Sequence, residues 1–326
     1  MIAAFVAIIC LVSQACAQTH VRVALGWLPQ GDFAGYFAAK ADGLYDRAGL
    51  DVEIVPGNMK NGAIMLLATG AYDFVTLFNS GVALDMANVH LPYVVVAAID
   101  QQDPTAIIVH DAPGAPKSLA ELRDYPIMIS PDAQDNYWAF LTEKFAYTTR
   151  QIRRYTGAGA LFVANPHIAQ QGYLTNDVPR FVDAGVPIRI FPLFEAGYSS
   201  YGPMIVARRA LVDQHPEIVQ RFVDATLTGW CHYLHGDRSA ADRLIMQGNP
   251  DYAPRNAQDA IDAIRRYDLI EGGDARTGGL GIMTSARWSA YLQQMQPTGL
   301  YPKTMDFSGL YTTRFLHHTT CAAPRR

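Results

Sequence analysis

The sequence predicts an α/β protein of two lobes that share a hinge and an interlobe cleft, with a helical C-terminal segment. Three observations predict it. Short apolar runs alternate with amphipathic stretches from Val21 to Val206, short loops join them, and strand signals stop after Pro216.

Val21–Leu25 alternates weakly and runs into Gly26-Trp27-Leu28-Pro29, a strand ending at a loop. Phe33, Tyr36, Phe37, Ala41 and Leu44 keep helical spacing, so a helix is expected over Phe33–Ala48 with Gly49 closing it. Asp51–Val55 reads as a strand, Asn61–Thr69 as a short helix ended by Gly70, and Tyr72–Leu77 as a third strand. Asn79–Val89 is helical, and Tyr93–Ile99 is the near-continuous apolar run of a strand covered on both faces. A mainly parallel sheet follows from that alternation.

A second unit starts near Ala106. Ala106–Val109, Pro126–Ser130, Ile188–Leu193 and Met204–Val206 read as strands, and Asn136–Tyr147 as an amphipathic helix. Ser118-Leu119-Ala120-Glu121 has the spacing of a capping box. Pro216–Leu234, Ser239–Gln247, Asn256–Tyr267 and Ser285–Met295 are helical and are expected to pack outside the first lobe. Crossings near Asp100–Thr105 and Gly197–Pro203 divide the chain into lobe 1 (18–104 with 203–326) and lobe 2 (105–202). A chain that leaves one lobe, builds another and returns makes a hinge with a cleft.

Composition excludes several classes. The chain has 326 residues, 50% hydrophobic, with a net charge of −4 from 26 basic and 30 acidic side chains. No basic face of the kind nucleic acid requires is available. The 26 Gly and 19 Pro are spread through varied sequence, which excludes collagen-like and disordered readings. Residues 1–17 carry no charge, and Ile2–Val12 is too short to span a hydrocarbon layer of about 30 Å. The run ends in Ala15-Cys16-Ala17, so an export leader cleaved after Ala17 is expected, with lipid attachment at Cys16 as the weaker alternative.

Cleavage would leave Cys231 and Cys321, either paired or as a buried thiol and a free tail thiol. The His residues are scattered, and His317-His318 reads as surface tail. No metal or cofactor motif stands out. There is no GxSxG elbow, Gly157-Ala158-Gly159 and Gly278–Gly281 read as turns, and Asp132/Asp135 are too close in sequence for a glycosidase pair.

In open α/β sheets, ligands sit beyond the carboxyl ends of the strands. That rule selects Trp27–Phe33, Phe78–Gly81 and Ser130–Trp138, joined from the second crossing by Glu195, Tyr198, Ser199 and Tyr201. The set is aromatic and rich in neutral hydrogen-bonding groups, with carboxylates and no Arg or Lys. Aromatic faces bind planar rings, and amide and hydroxyl groups fix a ring's polar edge. Trp27, Phe33, Tyr137 or Trp138 are expected to sandwich a ring, while Gln30, Asp32, Asn79, Ser80 and Asn136 bond its edge and Glu195 pairs with an amino group. Taken singly, Trp27, Phe33 and Trp138 also read as core and Asp32 as a helix cap. Tyr173 reads equally as ligand contact or as packing under the hinge.

The chain resembles the NMT1/THI5-like (SsuA/THI5) family of ABC-transporter substrate-binding proteins. The likeness runs through Leu25-Gly26-Trp27, Phe33–Ala39, Gly43-Leu44-Tyr45, Ala48–Ile54 and Gly70–Phe74. It continues at Gln170-Gln171-Gly172-Tyr173, Pro216–Phe222, Gly229-Trp230 and Met283–Trp288. The resemblance implies a type II periplasmic-binding-protein fold, an extracytoplasmic location, a small-molecule ligand and an ABC permease and ATPase as partners. Membrane contact would run only through the permease or a lipid anchor. Ligands of the family include thiamine-pyrimidine precursors, riboflavin, alkanesulfonates, taurine and nitrate. The aromatic and carboxylate loops favour a pyrimidine-like heteroaromatic over a sulfonate, taurine or nitrate. The family's pyrimidine synthase is a third reading, but it uses a His on a helix that here runs Asn79–Val89 without one, and a Cys-rich motif that here reads Tyr198-Ser199-Ser200-Tyr201-Gly202.

Overall fold

Ten strands form two five-stranded sheets in a computed structural model that describes residues 18–57, 63–134, 136–157, 159–302, 304–305 and 308–321. The expected leader over residues 1–17 and its Cys16 lie outside these, as do Asp135, Ala158 and the start of the helix expected at Asn61. The first sheet holds β1 (Thr19–Ala24), β2 (Leu50–Val55), β3 (Phe74–Leu77), β4 (Tyr93–Ala98) and β10 (Met204–Arg208), in the order β2-β1-β3-β10-β4. The second holds β5 (Thr105–His110), β6 (Ile127–Ile129), β7 (Ile152–Arg154), β8 (Ala169–Tyr173) and β9 (Ile188–Pro192), in the order β7-β6-β8-β5-β9. Every residue of β4 and β5 is buried, as fully covered strands require.

The sheets are mixed rather than plainly parallel. β10 runs antiparallel to β3 and β4, and β5 antiparallel to β8 and β9. These two strands follow the two crossings. Within a sheet, a helical crossover returns the chain to the starting edge and gives a parallel neighbour. A short crossing instead enters the other sheet at its carboxyl edge, so the next strand runs backwards. β7, Ile-Arg-Arg at a sheet edge, and β8, Ala-Gln-Gln-Gly-Tyr, were not legible because neither has an apolar alternation.

The helix expected over Phe33–Ala48 is broken. A 3-10 turn (Gly31–Phe33) leads into a helix at Ala34–Ala41, and a second begins at Leu44 after Gly43, whose φ of 65° only glycine takes readily. The Ser118 capping box is also not formed. Leu119–Leu122 is a 3-10 turn, and Glu121 accepts from the Lys117 N–H instead.

The helix Pro216–His235 packs on Ala34–Ala41, as expected for the tail, through paired glycines. A Cβ on Gly35 would lie inside the ring of the fully buried Trp230, and one on Gly229 would meet the Gly35 carbonyl. Gly35→Ala is expected to cost about 2–3 kcal/mol through overpacking, checked by urea denaturation. The last long helix, Ser285–Met295, departs from expectation. Its buried face of Trp288, Tyr291, Leu292 and Met295 shares a core with Tyr137, Trp138, Phe140 and Leu141 of the second unit's helix Tyr137–Phe145, and Tyr291 Oη also pairs with Tyr198 Oη of the second crossing at 3.1 Å. Cys231 and Cys321 are bonded, with Cα atoms 5.1 Å apart, which decides between the paired and free alternatives.

Candidate functional site

The carboxyl ends of β1, β3, β6 and β8 face one another across the junction of the two sheets. Gln30 and Asp32 project from the loop after β1, and both are buried. Gln30 Nε2 donates to Asp32 Oδ2, and Thr175 Oγ1, from the loop after β8, donates to Asp32 Oδ1 at 2.6 Å. Asn176 Nδ2 donates to Gln30 Oε1 at 3.4 Å. Asp32 therefore joins the two units instead of capping a helix. Phe78, after β3, meets Tyr173 edge-on at 6.3 Å between ring centroids. On the rim, Arg255 pairs with Asp183.

Tyr137 enters this junction. Its hydroxyl donates to Gln171 Oε1 at 2.7 Å, the same oxygen that accepts from the Ser130 N–H. Tyr173 is half-buried, and its backbone N–H donates to Asp177 Oδ2. Burial pushes both phenols well above their usual range, and the negative charges of Asp103 and Asp32 beside Tyr173 add to this. Trp27 is half-buried at the edge of the first core.

Other expected site residues have structural work. Asn79 caps the helix Ser80–Asn88 by accepting from the Val82 N–H, and Asn136 accepts from the Tyr137 N–H at the start of its own helix. The two helix starts nevertheless meet, since a Cβ on Gly81 would lie 2.7 Å from Asn136 Cβ. Ser80 clasps the second crossing. Its N–H donates to Ser200 Oγ, and its Oγ accepts from the Tyr201 N–H.

Five expectations are corrected. Phe33, 1% exposed, belongs to the first core, and Trp138 to the second, where it packs on Tyr147. Tyr198 packs against Phe140 and Tyr291 under the hinge. Tyr201 packs on Trp288 and donates to Asp274 Oδ2. Aromatic residues after strands also fill cores, which explains these four. Glu195 stands exposed on the 3-10 turn Phe194–Ala196 and faces solvent.

The first crossing contributes two carboxylates that sequence reasoning treated only as linker. Asp100 and Asp103 are 3% and 0% exposed. Asp103 Oδ1 accepts from the Thr105 N–H and Oγ1, while Oδ2 is buried without a hydrogen bond. Ser200 Oγ, the neighbouring hydroxyl, directs its one proton to the Tyr201 carbonyl. Burial pushes Asp103 up to about 6 and Asp100 well above the usual carboxylate range, and raises Asp32. Asp177 is raised by burial too, against the pull of Arg180, with which it pairs. A pair of acids between two fully buried strands was the available signal. Thr175 and Asp177 were missed because β8 was.

Two sheets joined by two crossings, with opposed strand ends between them, define the periplasmic-binding-protein fold. The alkanesulfonate-binding protein SsuA of Xanthomonas axonopodis pv. citri, bound to MOPS, superposes with a TM-score of 0.67 at 14% identity, over 90% of this chain and 98% of that one. The desulfurization enzyme DSZB gives 0.59 at 13% identity, over 92% and 98%. The riboflavin-binding protein RibY of Chloroflexus aurantiacus is 26% identical over 313 residues, 91% of this chain and 86% of that protein. The NMT1/THI5 like family profile matches residues 30–240, and the chain belongs to that family.

Proposed function

We propose that this chain is an extracytoplasmic substrate-binding protein that hands a small heteroaromatic nutrient to an ABC importer. The observation that carries this is the junction itself. Strand-end loops of both sheets converge there, with Tyr137, Tyr173 and Phe78 offering ring faces, Trp27 following β1 as a half-buried fourth ring, and Gln30, Asp32, Gln171 and Thr175 offering polar edges. Lobe 1 (18–104 with 203–326) and lobe 2 (105–202) would part about the two crossings, admit the ligand and close over it. The closed face would then be the surface that the permease and its ATPase recognise. RibY supports a planar heteroaromatic, and a thiamine-type pyrimidine fits the same chemistry. Export would rest on the leader ending at Ala17.

The relation to SsuA keeps sulfonate, taurine or nitrate as the second reading. Against it stand the buried carboxylates, since an oxyanion calls for Arg, Lys or free helix N–H groups. The likeness to DSZB concerns the fold, and an enzyme of the pyrimidine-synthase kind would need a His in the junction. The helix Ser80–Asn88 has none, and His90 is exposed at its far end, about 15 Å along the axis from Asn79.

A thermal-shift screen of the mature chain with pyrimidines, flavins, sulfonates and amino acids tests this reading. A true ligand at a hundred times its Kd adds about 2.7 kcal/mol, on the order of 5 °C in Tm for a chain of this size. A heteroaromatic is expected to give that rise. Stabilisation by taurine or sulfonates alone would overturn the choice.

A further inference from the structure

We propose that Asp103 is the residue that selects the ligand's charge. It would receive a protonated or amino-bearing nitrogen edge of the ring on its free Oδ2, with Asp100 and Asp32 close by, so that cationic rings are preferred and anions rejected. The inference rests on the binding-protein reading above and assigns to Asp103 the amino-group contact that the sequence had placed on Glu195.

Four features carry it. First, Asp103 is 0% exposed, and its Oδ2 has no hydrogen-bond partner, an arrangement costly to a folded chain unless something meets it. Second, the residue sits beside the proposed site, since Thr105 pairs with Tyr173 across the sheet and the Leu174 N–H donates to the Pro104 carbonyl. Third, neighbouring charges do not neutralise it. Asp32 and Asp100 are carboxyl groups that bring no positive charge, and Tyr198 and Tyr291 are neutral phenols. Arg180 is paired with Asp177, and Arg287 directs its N–H groups to the carbonyls of Ser199, Gln101 and Ser200. Fourth, the carboxylates are spread out. Among the described residues, Asp32, Asp100, Asp103 and Asp177 form no cluster able to hold one metal ion. They suit an organic cation, whose charge is itself spread over a ring. Thr105 holds Oδ1, so the ring nitrogen would meet a fixed acceptor.

The test is isothermal titration calorimetry of the mature chain at neutral pH with three probes: 4-amino-2-methylpyrimidine, 4-hydroxy-2-methylpyrimidine and benzenesulfonate. The amino ring is expected to bind about tenfold more tightly than the hydroxy ring, with benzenesulfonate weakest, as loss of a buried charge-assisted bond implies. Asp103→Asn, which keeps the Oδ1 acceptor for Thr105, is expected to lose about tenfold for the amino ring and less than about threefold for the hydroxy ring. Equal affinity of the wild-type chain for both rings overturns the role of Asp103 and leaves the binding-protein reading standing. So does an Asp103→Asn variant that loses both rings equally, or neither. Binding of benzenesulfonate alone, or of no probe, overturns the charge preference and the heteroaromatic reading together. The wild-type ranking of the probes does not depend on the variant folding.

Discussion

Reduction of the Cys231–Cys321 disulfide is expected to lower the unfolding free energy by about 4 kcal/mol. The bond closes a loop across a sequence separation of 90, and loop-closure entropy at that length is on the order of 4–5 kcal/mol. It anchors the tail to the helix Pro216–His235, which carries the Trp230–Gly35 contact. The double variant Cys231→Ser/Cys321→Ser should therefore unfold at lower urea, with its m-value changed because the denatured chain is less constrained. Equal midpoints for oxidised and reduced protein would show that tail packing, not the crosslink, holds the end of the chain.

Asp103→Asn is expected to stabilise the protein at neutral pH in buffer without added ligand, by up to about 3 kcal/mol. The sign follows from burial. Asp103 is pushed up from 3.8 to about 6, so the folded chain holds its proton while the unfolded chain releases it. Wild-type stability from this group is complete below pH 3.8 and is lost as pH rises to about 6. Asn carries no such loss. The variant's advantage should thus be near zero below pH 4 and level off above pH 6. Asp100 and Asp32, raised in the same direction, leave the variant some of the slope. Denaturation curves at pH 4, 5, 6 and 7.5 check this, and a constant difference across pH would refute it.

The sheet-and-helix alternation was legible wherever burial imposed a period. Tyr93–Ala98 forms a strand and Ser285–Met295 a helix, as the periods of their apolar residues require. β7 and β8 were not, since an edge strand with two Arg and a strand with two Gln take their place from neighbours rather than from their own pattern. Phe33 and Trp138 illustrate a second limit. The same residue type in the same loop position serves as ring platform or as core, and only the direction of the side chain separates the two. Asp103 illustrates a third. Burial of a carboxylate at a crossing depends on the two sheets that the crossing joins, and no local window of sequence contains both.

The tail that Cys321 secures also lies along β4. Val95 donates to the Leu310 carbonyl and accepts from the Thr312 N–H, while the Ala98 N–H donates to Gly281. β4 is the outer strand of its sheet on that side, six buried residues without a charge. A bare edge of that kind is a template for pairing with another chain. Residues 310–312, together with Gly281, thus cover an edge that would otherwise be open to association. Until that segment docks and Cys321 finds Cys231, the sheet stays open on one side, and the crosslink serves as the fastening of a shutter over it.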